Sequence, residues 1–275
     1  MKTAVITTAS GRHDHLARQW QGLATGSELP DDYVVVAIAD PAIADLVIGG
    51  PVTPRVTHLA TSPTGLPLAQ ARNLGAAKAL SAGAEVLIFL DVDCIPSPQL
   101  LRRYRHAAGE PGQYLLCGPV AYLPPARPGG YPMHDLSRLA SPHPARPAPA
   151  ETRIVDTEDH ALFWSLSFAV TASTWETLGG FCEDYTGYGG EDTDFGETAR
   201  QAGVRIRWIG GATAFHQYHS ISDPPVEHLD DILRNATTFH RRWGWWPMTG
   251  WLTEFERRHL IRFIPKSHRW ERTTQ

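Results

Sequence analysis

Val86-Leu87-Ile88-Phe89-Leu90-Asp91-Val92-Asp93 is the stretch from which the fold is read, an apolar run that passes without a break into two carboxylates. An uninterrupted apolar run of strand length marks a strand covered on both faces, as in the middle of a parallel α/β sheet. Carboxylates at i and i+2 of an extended chain point to the same side. Ligands of open α/β sheets bind outside the carboxyl ends of the strands, so Asp91 and Asp93 belong on a crevice.

Working outward, the pattern predicts a helix over 68–81 stopped by Gly83, preceded by a weaker strand at 56–59. The run 33–38 repeats the buried-strand pattern and ends beside Asp40; residues 4–8 read as a first strand and 13–24 as a helix. Downstream, Ser97 and Pro98 are expected as N-cap and first residue of a helix, followed by a strand over 114–122. Further strands are expected at 162–171 and 204–209. Between them lie a helix opened by a Ser173–Glu176 capping box and ended at Gly179-Gly180, and another over 192–202 closed by Gly203. The alternation predicts an α/β domain with a largely parallel sheet flanked by helices.

Prolines and small residues dominate 124–150, which reads as a long loop inside the domain. From 221 to 275 the pattern is mainly helical with a break at 243–247, so the expectation is a domain over 1–220 with a helical C-terminal extension packed on it. A chain of 275 residues with 42% hydrophobic and 20% charged residues fits one large core, or a core with a small lobe. A net charge of −4 offers no broad positive field, so nucleic acid is not expected as a partner. Cys94, Cys117 and Cys182 are odd in number and widely spaced, which indicates neither a disulfide framework nor a zinc site and suits a reducing cytoplasm. No apolar run approaches the roughly 20 residues of a membrane span, and the first strand is too short for a signal-peptide core.

Asp91-Val92-Asp93 suits a hard cation such as Mg²⁺ or Mn²⁺ that shares a diphosphate with the protein; taken alone it reads equally well as a solvated acidic turn. The second constellation is Gly187-Tyr188-Gly189-Gly190-Glu191-Asp192-Thr193-Asp194-Phe195. Its glycines permit positive φ and close approach to a ligand. Glu191 and Asp192 fall at a helix N-terminus, where the dipole is expected to keep them ionised and to leave Asp192 fit to act as a general base. So many acids behind the glycines exceed what a helix cap requires.

Together the two motifs and the strand order resemble glycosyltransferases of the GT-A fold. The nearest likeness is to family 2 enzymes and to the galactosyl- and N-acetylgalactosaminyltransferases with a Gly-Gly-Glu-Asp signature, over residues 3–220. The resemblance implies a Rossmann-like mixed sheet flanked by helices, a nucleotide-diphosphate sugar donor, first of all a UDP-sugar, and Mn²⁺ or Mg²⁺. Carried over by position, Thr7, Thr8 and Arg12 begin the nucleotide pocket and Asp40 contacts the base. Arg72, in Gln70-Ala71-Arg72-Asn73, organises the donor site, and Asp91 lies near the ribose. Asp93 holds the metal. Asp192 is the base, Glu191 and Asp194 contact sugar or acceptor, and Tyr188 with Gly190 forms an aromatic platform and backbone wall for the donor.

A histidine beyond the last core strand often completes the metal site in such enzymes. His216 is therefore the expected second ligand, with a separate role or none for His219. The implied reaction moves a hexose of galactose or N-acetylhexosamine type, with inversion, to a carbohydrate, lipid-linked or small-molecule acceptor. Two rivals stay open: a nucleotidyltransferase, for which Thr8-Ala9-Ser10-Gly11-Arg12 is a poor phosphate loop, and a non-catalytic carbohydrate binder on the same fold. Trp164 is expected as a buried strand aromatic. Arg241-Arg242-Trp243-Gly244-Trp245-Trp246 reads as a sugar-stacking surface, a peripheral membrane contact, a dimer face or a packed helix end.

Overall fold

The computed structural model describes residues 1–46, 50–220 and 222–273. The first half runs β1 (Thr3–Ala9), α1 (His13–Ala24), β2 (Asp32–Ile38), β3 (Arg55–Leu59), α2 (Leu68–Ser81) and β4 (Val86–Leu90). These strands lie in the order β3-β2-β1-β4, all parallel, as their apolar runs demand. Next come β5 (Cys94–Pro96), α3 (Leu100–Ala108), β6 (Tyr114–Cys117), β7 (Val120–Tyr122), α4 (Leu136–Leu139), β8 (Ser141–Pro142), β9 (Ile154–Thr157) and β10 (Ser167–Thr171). The chain continues through α5 (Ala172–Leu178), α6 (Glu191–Gln201), β11 (Arg205–Ile209), β12 (Ala214–His216), α7 (Leu229–Trp243) and α8 (Thr249–Arg257), and ends in the hairpin β13 (Ile261–Ile264) and β14 (Arg269–Arg272).

The main sheet has eight strands in the order β3-β2-β1-β4-β10-β6-β11-β9. It is mixed rather than largely parallel, because β10 runs antiparallel to both β4 and β6 and β9 antiparallel to β11. Helices cover both faces. Phe89, Phe168, Trp175, Phe181 and Phe195 form one aromatic core, with Phe89 and Phe168 stacked at 4.6 Å and Phe181 and Phe195 at 4.2 Å. Leu16, Trp20, Tyr33, Ile88 and Tyr104 fill the other face under α1 and α3.

The expected strand over 114–122 is two strands in two sheets. At Gly118 an added Cβ would lie 1.9 Å from the Ala212 carbonyl oxygen, so the backbones meet there and the chain leaves the main sheet. β7 then joins the second sheet, β5-β12-β7-β8. The expected strand over 162–171 also shortens: a single turn at His160–Leu162, capped by Asp159, precedes β10. α5 is capped by Thr171, whose Oγ1 accepts from the Thr174 N–H at 3.2 Å, not by a Ser173–Glu176 box. Ser97 likewise caps nothing, since its hydroxyl donates to the Gly211 carbonyl and α3 begins only at Leu100.

The proline-rich loop is anchored by α4, by β8 on β7, and by Leu123 and Leu136, which pack with Ile95, Ala121 and Phe215. The C-terminal layer is helical only to Arg257; its final strands form a hairpin instead. Leu229, Ile232 and Ala236 of α7 meet Leu252 and Phe255 of α8 and Ile261 in a small core of their own. Among the described residues no helix is long and apolar enough to cross a membrane.

Candidate active site

β4 delivers Asp91 and Asp93 to the crevice through a tight turn, in which the Cys94 N–H donates to the Asp91 carbonyl at 2.8 Å. The antiparallel β5–β12 ladder pairs Cys94 with His216, and the Gln217 N–H donates to the Asp93 carbonyl at 2.7 Å. The second sheet thereby carries histidine up to aspartate. His216 Nε2 lies 3.6 Å from Asp93 Oδ1, and His219 Nε2 lies 3.5 Å from Oδ2. One ligand atom from each of Asp93, His216 and His219 falls within 4.8 Å of the others. His219 is thus brought into the group from which the spacing had left it out.

Burial pushes the Asp93 carboxyl up, but hydrogen bonding from His219 and the charges of His216 and Arg12 outweigh it and hold the pKa at about 2. Burial lowers the His216 pKa below its ordinary value, although the Asp93 charge opposes this, and so favours the form whose lone pair a metal takes. A carboxylate with two imidazoles suits Mn²⁺. Arg12 contends for the same carboxylate, its NH1 standing 2.6 Å from Asp93 Oδ2. Arg12 is the left-handed residue ahead of α1, at φ 52°, and Asp40 fixes this turn by accepting from the Gly11 N–H and pairing with His13, both at 2.7 Å.

Thr7 is a clasp within the core. Its hydroxyl lies 2.8 Å from Gln19 Oε1 and 3.0 Å from the Leu90 carbonyl, while Gln19 Nε2 donates to the carbonyls of Asp91 and Cys94. Gln19 therefore shapes the Asp91–Cys94 turn, a role its place in an amphipathic helix did not signal. Thr8, one residue on, is 8% exposed.

Arg72 joins the two acidic motifs. It is buried on α2, with NH2 at 3.2 Å from Asp91 Oδ1 and NH1 at 3.3 Å from Glu191 Oε1. Asn73 beside it grips the following loop through both the N–H and the carbonyl of Phe181, each at 2.9 Å. The helix dipole, expected to keep Glu191 and Asp192 ionised, is opposed at both by burial. Burial, with the Asp192 charge added, raises Glu191 to about 7, and burial raises Asp192 as well, although its Oδ1 accepts from the Thr193 N–H at 2.7 Å. Desolvation is the larger effect here. Asp91 is likewise raised by burial, which the charge of Arg72 only partly offsets.

Asp194 points away from the crevice. Its Oδ1 accepts from Tyr185 at 3.0 Å and from Arg242 Nε and Trp243 Nε1 at 2.7 Å each, tying α6 to the end of α7. Gly190 is the N-cap of α6 at φ 95°. Tyr188 stacks on His228 at 4.4 Å and leans on Trp251. Its loop is held from α7: Asn235 Nδ2 lies within hydrogen-bond distance of the carbonyls of Thr186, Tyr188 and Gly189, and Asp231 accepts from the Tyr188 N–H. Gly187 makes this approach possible, since an added Cβ would lie 2.2 Å from Asp231 Oδ2. Asn235 was missed, yet a fully buried asparagine on the Ile232–Ala236–Phe239 stripe is a legible irregularity.

Of the tryptophan segment, Trp243 is bound to Asp194 and Trp246 stacks on His240 at 4.2 Å, while Trp245 is 44% exposed. The packed helix end accounts for most of it. Trp164 is half-buried and lies outside β10, against His143 at 4.9 Å.

The mixed sheet flanked by helices has the fold of solved glycosyltransferases of the GT-A type. Residues 159–221 match the family described as the N-terminal domain of galactosyltransferase. Over 228 residues the chain is 27% identical to validoxylamine A glucosyltransferase of Streptomyces hygroscopicus subsp. limoneus, covering 73% of this chain and 48% of that protein. The enzyme of the same name from Streptomyces hygroscopicus subsp. jinggangensis (strain 5008) is 28% identical over 174 residues, 54% of this chain and 39% of its own length. The chain thus spans about half the length of the curated relatives it matches.

Among solved structures, S. aureus TarS 1-349 in complex with UDP-GlcNAc superposes with a TM-score of 0.55 at 12% identity, over 92% of this chain and 76% of that one. GalNAc-T7 with UDP, GalNAc and Mn²⁺ gives 0.55 at 16% identity, over 80% and 43%. At such identities the likeness is one of fold.

Proposed function

We propose that the protein is an enzyme that transfers a hexosyl unit from a nucleotide-diphosphate sugar, UDP-linked, to an acceptor hydroxyl. The observation that carries this is Arg72, which ties the Asp91–Asp93 turn to the Glu191–Asp192 helix start and so sets a cation group opposite a base. The names of the sequence relatives support glucose beside the galactose or N-acetylhexosamine suggested by the motif, and the UDP and Mn²⁺ of the structural neighbours support donor and cation. The acceptor is a carbohydrate, lipid-linked or small-molecule hydroxyl. A cytoplasmic setting is part of this reading, supported by the free Cys94, Cys117 and Cys182.

In this mechanism Asp93, His216 and His219 hold Mn²⁺, which when bound supplies positive charge to the departing diphosphate. Arg12 is released from Asp93 to the phosphates, and Arg72 keeps Asp91 and Glu191 in place. Asp192 takes the acceptor proton as the acceptor oxygen bonds to the anomeric carbon and the bond to the diphosphate breaks on the opposite face. Glu191 faces the sugar hydroxyls. A nucleotidyltransferase is disfavoured because Asp40 already occupies the Gly11 N–H, where a phosphate loop offers free donors.

The test is transfer from a panel of UDP-hexoses with Mn²⁺ and sugar or cyclitol acceptors, read as released UDP and as product configuration. Asp192→Asn and Asp93→Ala are each expected to lower the rate by about a hundredfold or more while the circular dichroism spectrum is kept. Near wild-type transfer by both variants would defeat the assignment.

A further inference from the structure

Arg146 lies in the proline-rich loop and is 7% exposed. Its guanidinium carbon is 4.9 Å from the ring centroid of Trp164 and 4.9 Å from that of Trp208, so the cation lies over two indoles. Among the described residues, Nε, NH1 and NH2 all lack a hydrogen-bond acceptor. Trp208 Nε1 lacks one as well, on the same fully buried ring that the guanidinium covers.

Aromatic faces attract the guanidinium charge but do not accept from the N–H groups along its edges. A guanidinium carries five N–H donors in a fixed fork, and leaving buried donors unmade is costlier than never burying them. A buried water makes about three hydrogen bonds in all, too few for a fork and an indole together. Asp192 is near enough for its charge to act on Arg146, yet no hydrogen bond joins the two side chains. The remaining unmet chemistry is that of a bidentate acceptor with negative charge.

We propose that Arg146 and the Trp208 indole N–H form a buried site for an oxyanion, a carboxylate or a phosphate, separate from the cation group at Asp93. A carboxylate offers about four lone-pair positions in the plane of the fork. The site backs onto the crevice through a continuous row of rings, since Trp164 meets His143 at 4.9 Å, His143 meets Tyr122 at 5.6 Å, and Tyr122 meets His216 at 4.8 Å. The Arg146 N–H donates to the His143 carbonyl at 3.1 Å, in a turn that belongs to neither the main sheet nor the second sheet. Two sources share this chemistry, a carboxylate on a sugar substrate and a phosphate, free or esterified.

The experiment is calorimetric titration of the full chain, free of divalent metal, with glucuronate, inorganic phosphate and glucose. One or both anions are expected to bind saturably and glucose not to bind; glucuronate alone assigns a sugar carboxylate and phosphate alone a phosphate group. Arg146→Leu is expected to weaken binding by about tenfold or more and Arg146→Lys to restore part of it. Trp208→Phe, which keeps a ring and loses the N–H, is expected to weaken it by about threefold. Failure of both anions to bind, glucose binding as well as glucuronate, or wild-type affinity in Arg146→Leu overturns the site. If Arg146→Leu does not fold, wild-type affinity in Trp208→Phe overturns it instead. No transfer assay enters, so the outcome is independent of the proposed reaction.

Discussion

In the proposed reading Asp93 is shared between Arg12, the cation it already has, and the metal ion it would take. Arg12 is more than a third exposed, so its pair with Asp93 is screened by water and worth ~0.6 kcal/mol, the middle of the range for such pairs. Arg12→Ala is therefore expected to tighten Mn²⁺ binding by about threefold in calorimetry; unchanged or weaker binding would mean that the arginine does not compete. Glu191 makes a second prediction at this scale. Its carboxyl, raised to about 7 by burial, holds a proton that the unfolded chain gives up near 4.5. The folded state thus binds more protons between those values, and stability falls as pH rises from 4.5 through 7. Glu191→Gln removes this term. Its melting temperature should gain on wild type across that window, by an amount on the order of 1–3 kcal/mol, or a few degrees. Melting curves at pH 4.5 and pH 8 without divalent metal decide it, and a constant difference between the two proteins would refute it.

At the scale of elements, Asp194 is where α6 is fastened to α7. Removing it leaves Tyr185, Arg242 and Trp243 without their shared acceptor. Asp194→Ala should cost about 3 kcal/mol in urea unfolding, in the range for breaking a buried pair from one side. Mn²⁺ affinity at Asp93 should stay as it was. What could be read from sequence follows the same division. α1 and α2 fall on the expected spans 13–24 and 68–81, because the amphipathic spacing of α1 and the stop of α2 at Gly83 are local signals. The break at Gly118 was illegible because it is set by the Ala212 carbonyl, far along the chain. The same holds for His219, whose approach to Asp93 depends on the path of the chain beyond β12, which no residue type announces. Both acidic motifs were legible as chemistry, but the raised pKa values of Glu191 and Asp192 were not, since burial opposes the helix dipole there and burial is a tertiary property.

For the molecule as a whole, the C-terminal layer is part of the site rather than an appendage to it. Asn235 satisfies the carbonyls of Thr186, Tyr188 and Gly189, and Arg234 reaches those of Thr64 and Thr186. One helix thereby pins both the Gly-Gly-Glu-Asp loop and the loop ahead of α2, the helix that carries Arg72. A chain ending at residue 220 would also lose the small core around Leu229, Ile232, Leu252 and Phe255, and would expose the apolar surface beneath Tyr188. The decisive variant is therefore milder than truncation. Asn235→Ala removes the amide and leaves the aliphatic packing of α7, so the protein should fold, with a loss of about 2 kcal/mol from carbonyls left unpaired. Loosening of the 186–190 loop would displace Asp192, the proposed base, while Asp93 and His216 are held by the second sheet and stay in place. In Asn235→Ala, transfer should therefore fall by about tenfold or more at saturating donor while Mn²⁺ affinity stays at its wild-type value, because catalysis depends on placement far more steeply than binding does. If rate and metal affinity fall together, the layer supports the fold in general; if neither moves, the loop keeps its shape without α7.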